Sequence, residues 1–172
     1  MPSLRKRAPK RRTASDPQDV VSNDAAAAEM TAVALMARRD YACGELAGKL
    51  RERGFDPSTV QALIDELRAR RLLNDERYAG HFVQYHLSRG QGPQRIRRDL
   101  EAFGVEGALI DAALASVPDW SAIARDVRRR RFGAEPPTEW AEKGRQARFL
   151  QYRGFSNDHI RSALGPDLEL DS

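Results

Sequence analysis

Cysteine is nearly absent: Cys43 is the single one in 172 residues. An internal disulfide is therefore excluded, and the chain suits a reducing cytosol. Long apolar runs are missing too, and none approaches the ~20 residues of a membrane-spanning helix. The basic N-terminus lacks the apolar stretch of a secretory signal, so no membrane partner and a cytoplasmic location are expected. β-Branched residues are scarce, with 8 Val, 5 Ile and 4 Thr against 25 Ala and 16 Leu. Sheets favour the first group and helices the second. The expected fold class is all-α. Hydrophobic residues still make up 41% of the chain, enough for a packed core and against global disorder.

Catalytic chemistry is also thinly supplied. His81, His86 and His159 form no His-Glu-x-x-His pair, and Cys43 has no second thiol for a zinc site. His81 and His86 are five residues apart, which does not bring them to one helix face. Gly90-Gln91-Gly92 lacks the Gly-Lys-Ser/Thr or third glycine of a nucleotide loop, and reads instead as a helix-to-helix turn with Pro93 starting the next helix. No catalytic, cofactor-binding or metal-binding residue is expected, and the chain does not read as an enzyme.

Self-similarity at a spacing of fifty is the chain's most informative feature. Leu50-Arg-Glu-Arg-Gly54-Phe55 recurs as Leu100-Glu-Ala-Phe-Gly104-Val105 and as Leu150-Gln-Tyr-Arg-Gly154-Phe155. Val60, Ile110 and Ile160 keep the register downstream. Each glycine reads as a left-handed helix end, followed by an apolar residue and a second helix. Asp56 with Pro57, and Ser156, are caps for the first and third of these helices, while Glu106 is a poor one. Upstream, helical patterns run over 25–39, 75–89 after Asn74, and 120–131 after Asp119. Three tandem three-helix repeats of about 50 residues follow, at 25–73, 74–117 and 118–165. Units this small gain by packing on one another, so an elongated, curved array is expected. A basic arm over 1–24, expected to be disordered, and an acidic tail over 166–172 flank it. Trp120 and Trp140 are expected to pack between units.

Charge is basic by only +4, but Arg outnumbers Lys 25 to 4. Three clusters stand out: Arg89, Arg95, Arg97 and Arg98; Arg125 with Arg128 to Arg131; and Lys143, Arg145, Arg148 and Arg153. Each reads equally as a solvated face with weak ion pairs or as a surface for phosphate or an acidic groove. As a set they favour contact with a partner.

Several segments together resemble the RecX family of bacterial regulatory proteins. Leu73-Asn74-Asp75-Glu76-Arg77-Tyr78-Ala79, Phe82-Val83, Arg89-Gly90-Gln91-Gly92-Pro93 and Arg95-Ile96-Arg97 look like its central signature. Arg38-Arg39-Asp40-Tyr41, Glu45-Leu46, Lys49-Leu50 and Gly54-Phe55 match its first repeat, and Arg148-Phe149-Leu150 with Arg153-Gly154-Phe155-Ser156 its last. Ala42 stands where a capping Ser is common in the family, and His86 where Arg is common.

The resemblance implies a negative modulator of the RecA recombinase. Such a protein binds RecA's filament on single-stranded DNA, limits its growth, and suppresses ATP hydrolysis, strand exchange and co-protease activity. DNA, single- or double-stranded, is a secondary and nonspecific partner, and a monomer is expected. The contact candidates are Arg38, Arg39, Lys49, Arg77, Arg89, Arg95, Arg97, Arg98, Lys143, Arg145, Arg148 and Arg153. The competing reading is a nonspecific or helix-turn-helix-like DNA-binding protein. A small enzyme ranks last.

Overall fold

Three glycines fifty residues apart take positive φ: 85° at Gly54, 76° at Gly104 and 91° at Gly154. Each closes a helix in the left-handed region that a Cβ disfavours. Around them the computed structural model, which describes residues 22–165, forms nine helices and no strand longer than one bridge among those residues. In chain order they are α1 Ala25–Met36, α2 Cys43–Arg51, α3 Pro57–Ala69, α4 Asp75–Ser88, α5 Pro93–Ala102, α6 Gly107–Ala115, α7 Trp120–Phe132, α8 Trp140–Arg153 and α9 Asn157–Leu164. The fold is all-α, in three three-helix units.

The starts follow from their first residues. Asp56 accepts hydrogen bonds from the N–H groups of Ser58 and Thr59, with Pro57 at the first helical position. Asn74 and Asp119 cap α4 and α7 through the N–H groups of Arg77 and Ala122. Ser156 and His159 form a reciprocal capping box on α9. Glu106 makes no side-chain cap. Ala42 cannot cap α2, and Asp75 substitutes from another unit: its Oδ1 accepts from the Cys43 N–H at 2.8 Å.

Within each unit the first helix packs on the third, as α1 on α3, α4 on α6 and α7 on α9. Leu46, Leu50, Val60 and Leu67 centre the first core; Val83, Ile96, Leu100 and Ile110 the second; Leu150, Phe155 and Ile160 the third. Burying each such side chain contributes about 1.5–3 kcal/mol. Phe55 with Val60, Val105 with Ile110 and Phe155 with Ile160 share their unit's core, as the staple spacing implies.

Consecutive units are joined by backbone approach. Gly92, at the start of α5, is so close to the turn after α8 that a Cβ would lie 2.4 Å from the Gly154 carbonyl. The N–H groups of Gly92 and Gln94 donate to the carbonyls of Arg153 and Gly154 at 2.8 and 3.0 Å. The amino end of α5 therefore meets the carboxyl end of α8, a favourable dipole arrangement that also satisfies orphan groups at both ends. Between units one and two, Gly44 lies against Phe103 and Gly104, and Ala42 is buried in the second core. Trp120 packs against both the second and third cores, its indole N–H donating to the Leu114 carbonyl at 3.2 Å. Trp140 does not bridge units: it is 63% exposed, because the first residue of α8 projects outside the third core.

Most of residues 1–24 and all of 166–172, the expected arm and tail, lie outside the described residues. At the arm's end, Ser22 bridges to the Gly54 turn, with its N–H donating to the Gly54 carbonyl at 2.8 Å, and Asp24 caps α1. Among the described residues no helix is long and apolar enough to cross a membrane.

Candidate functional site

Among the described residues no group of His, Cys, Asp and Glu is arranged to hold a metal ion. Cys43 is buried, and burial followed by the negative charge of Asp75 pushes its thiol pKa up to about 12. A nucleophilic cysteine needs the opposite shift. His86 Nδ1 is hydrogen-bonded to Gln91 Oε1 across the α4–α5 turn, and its ring stacks near Phe82 with centroids 4.0 Å apart. The imidazole thus braces a turn.

The arginines separate into those engaged within the fold and those facing outward. Arg39 forms a two-pronged pair with Glu45 (2.9 and 2.5 Å) and lies 3.8 Å over the Tyr41 ring, and the hydrogen bond it donates to Glu45 raises its pKa. Lys49 pairs with Glu52 at 2.8 Å. Arg95 lies 3.9 Å from Asp99, and Arg97 bonds Asp111 beside Glu101. Arg145 grips Glu142 at 2.8 and 2.9 Å. Lys143 also has a partner. Arg39, Lys49, Arg95, Arg97 and Arg145 are held in place by local charge, and a partner has to compete for them.

Arg38, Arg77, Arg98 and Arg148 are exposed and have no ion pair among the described residues. Arg89 is likewise exposed and without an ion pair among the described residues, and Arg153, half-buried and also without one, is brought up against it. Arg153 Nη1 donates to the Arg89 carbonyl at 2.8 Å, so the α8 side chain closes the carboxyl end of α4. An open concavity of about 220 Å³ forms there between α4, α7 and α8. Arg89, Arg130, Arg131 and Arg153 line it, with Val127 and Phe149 as its apolar surface. None of these four arginines has an acidic partner among the described residues. The cleft exists only because the second and third units dock.

Arg130 and Arg131 are absent from the contact candidates, although the dense run containing them is visible in the sequence. The helix period carries the missing signal: positions 127, 130 and 131 share one face of α7. Arg128 is on the other side and departs from the expected basic surface. It is 5% exposed, and its guanidinium donates to the carbonyls of Gly133, Ala134 and Glu135 at 2.8–3.0 Å. Its role is to fold the α7–α8 connection. Arg125 and Arg129 are also engaged, with Asp119 and Ser162, and with Asp126.

Helices α3, α6 and α9 occupy the place of a helix-turn-helix recognition helix. α6 carries no basic residue, and Arg161 on α9 pairs with Asp158 at 3.2 Å. Major-groove readout draws on polar and basic side chains there, so the geometry gives that reading little.

Comparison with known proteins agrees with this architecture. RecX family models match in three pieces: the first three-helix domain at residues 28–67, the second at 74–114 and the third at 119–164. The chain is 46% identical over 133 residues to the regulatory protein RecX of Halorhodospira halophila, covering 77% of this chain and 83% of that protein. It is 40% identical over 152 residues to the RecX protein of Pseudomonas fluorescens, covering 87% and 98%. Its fold is similar to the crystal structure of RecX from Lactobacillus salivarius, with a TM-score of 0.69, 20% identity, and coverage of 82% and 94%. A second RecX crystal structure gives a TM-score of 0.68 at 22% identity, covering 81% of this chain and 70% of that one.

Proposed function

This chain belongs to the RecX family of regulatory proteins, and from that premise we propose that it is a non-catalytic, cytoplasmic negative regulator of homologous recombination and of the SOS response. Its partner in this reading is the filament that RecA forms on single-stranded DNA. Binding there limits filament growth and suppresses ATP hydrolysis, strand exchange and co-protease activity.

The observation that carries the proposal is the coupling of three similar units end to end, through Gly44 with Gly104 and Gly92 with Gly154. A filament is a repeating surface, and a repeating ligand can meet several protomers at once. Weak contacts then combine through effective concentration. Outward-facing Arg38, Arg77, Arg98 and Arg148 are distributed over all three units, which suits many modest contacts better than one deep site.

The direct test follows RecA's ATP hydrolysis on single-stranded DNA as the protein is added. Inhibition at substoichiometric ratios is expected. Arg98→Glu with Arg148→Glu weakens it at least fivefold more than Arg68→Glu with Arg70→Glu. Absence of inhibition at every ratio overturns the function, and equal weakening by both pairs overturns the site.

A further inference from the structure

Positions 140, 144, 148 and 152 of α8 lie four residues apart and form one ridge along its outer side, occupied by Trp140, Gly144, Arg148 and Tyr152. Trp140 is 63% exposed and Tyr152 80%, while Ala147 and Leu150 of the same helix face the third core. We propose that this ridge docks a single amphipathic helix of a protein partner, laid antiparallel to α8. Under the regulatory reading, on which this rests, the docked helix belongs to a RecA protomer.

Three observations point to that occupant. Trp, Tyr and Arg are the residue types in which interface hot spots concentrate, and here all three stand on one ridge. The two aromatics lie outside the third core, so in water they forgo the stabilisation of burial that a partner would restore. Gly144 leaves a gap in the ridge. Beyond its own helix backbone, a Cβ there would meet only Arg148 Nη1, at 3.8 Å. A side chain of a partner helix can enter this notch, and bulky neighbours on either side hold it in register. The ridge spans about 18 Å, which a partner helix of about three turns covers.

Charge along the ridge changes sign, which is the third observation. Exposed Glu135 and Glu139 precede its Trp140 end, and exposed Arg148 lies toward its Tyr152 end. A nucleic-acid backbone is negative throughout and is repelled at the acidic end. A protein helix is not uniform: acids favour its first turn and bases its last, because of the macrodipole. Antiparallel packing sets those bases over Glu135 and Glu139 and those acids over Arg148, and it opposes the two macrodipoles. Parallel packing would set like charge against like.

Hydroxyl-radical footprinting of the full chain, free and bound to RecA filaments on single-stranded DNA, tests the proposal by mass spectrometry. Oxidation of Trp140 and Tyr152 is expected to fall at least threefold on binding. Trp140→Ala with Tyr152→Ala lowers affinity for the filament at least tenfold. The control Met30→Ala with Leu72→Ala, which removes exposed apolar side chains of the first unit, shifts it less than threefold. Glu135→Lys with Glu139→Lys weakens binding at least threefold, because it sets base against base. Circular dichroism verifies that each variant folds. Equal losses in the ridge and control variants overturn the site. Trp140 and Tyr152 that stay fully oxidisable in a bound, inhibitory chain overturn the docked helix and leave the regulatory reading standing. A chain that never binds the filament overturns both. Tighter binding by the two Glu→Lys changes would make phosphate the occupant, and protection that grows with chain concentration without RecA would make it a second copy. Either result overturns the proposal.

Discussion

Asp75 Oδ1 accepts a hydrogen bond from the backbone N–H of Cys43 at 2.8 Å, across 32 residues of sequence. The first residue of α4 thereby supplies a cap that Ala42 cannot supply to α2. This ties the first unit to the second with a charge-assisted bond at the positive end of a helix. Replacing Asp75 with Ala is expected to lower stability by about 1 kcal/mol, the usual worth of an N-terminal cap. Asp75→Asn, which keeps an acceptor, loses less than half of that. Urea midpoints measure both, and equal losses would place the effect in packing instead of the bond.

Two glycines on adjacent helices respond in opposite directions to one methyl group. Gly92→Ala drives a Cβ into the Gly154 backbone and costs about 3 kcal/mol, the upper range for overpacking. Gly80 lies inside α4, where an added Cβ would meet nothing within 4 Å, so Gly80→Ala gains about 0.5–1 kcal/mol from helix propensity. Thermal unfolding distinguishes them, and a stabilised Gly92→Ala would remove the close junction from the account.

Arg128 is the buried cation of the third unit. Its loss strands three carbonyls of the α7–α8 connection, so Arg128→Met costs about 3 kcal/mol. Arg130→Met, two residues on and exposed, changes stability by less than about 0.5 kcal/mol. Hydrogen exchange reads the local effect: the Gly133 amide, bonded to the Arg129 carbonyl, loses protection in the first variant and keeps it in the second.

The repeat and its turns were legible because fifty-residue spacing, left-handed glycines and caps such as Asp56 and Ser156 are local signals. The junctions were not. Nothing near Ala42 in sequence reveals that Asp75 caps its helix, and nothing near Gly92 reveals the Gly154 carbonyl against it. The arginines show the same division. A run from 128 to 131 reads as one basic patch, yet 128 turns inward while 130 and 131 line a cleft completed by Arg89 and Arg153. Ion pairing with distant acids, as in Arg97 with Asp111, is equally invisible to spacing.

His159 links stability to pH. Burial lowers its pKa below the ordinary 6.5, against a smaller opposing pull from Asp158 and Asp119. Its Nδ1 also accepts from the Ser156 N–H, a bond only the unprotonated nitrogen makes. The unfolded chain therefore binds the proton more readily than the folded one, so this contribution is complete above pH 6.5 and is lost as pH falls through the folded pKa. Chemical unfolding between pH 7.5 and 5.5 is expected to show declining stability. His159→Gln, which keeps a capping-box partner, flattens that decline; an unchanged slope would assign it to other groups.

Cross-linking of the full chain to RecA filaments on single-stranded DNA tests the central claim most directly, because it maps which units touch which protomers. Cross-links from all three units, falling on successive protomers in chain order, are the predicted result. Cross-links confined to a single unit, or to the DNA with none to RecA, would contradict an array that acts along the filament.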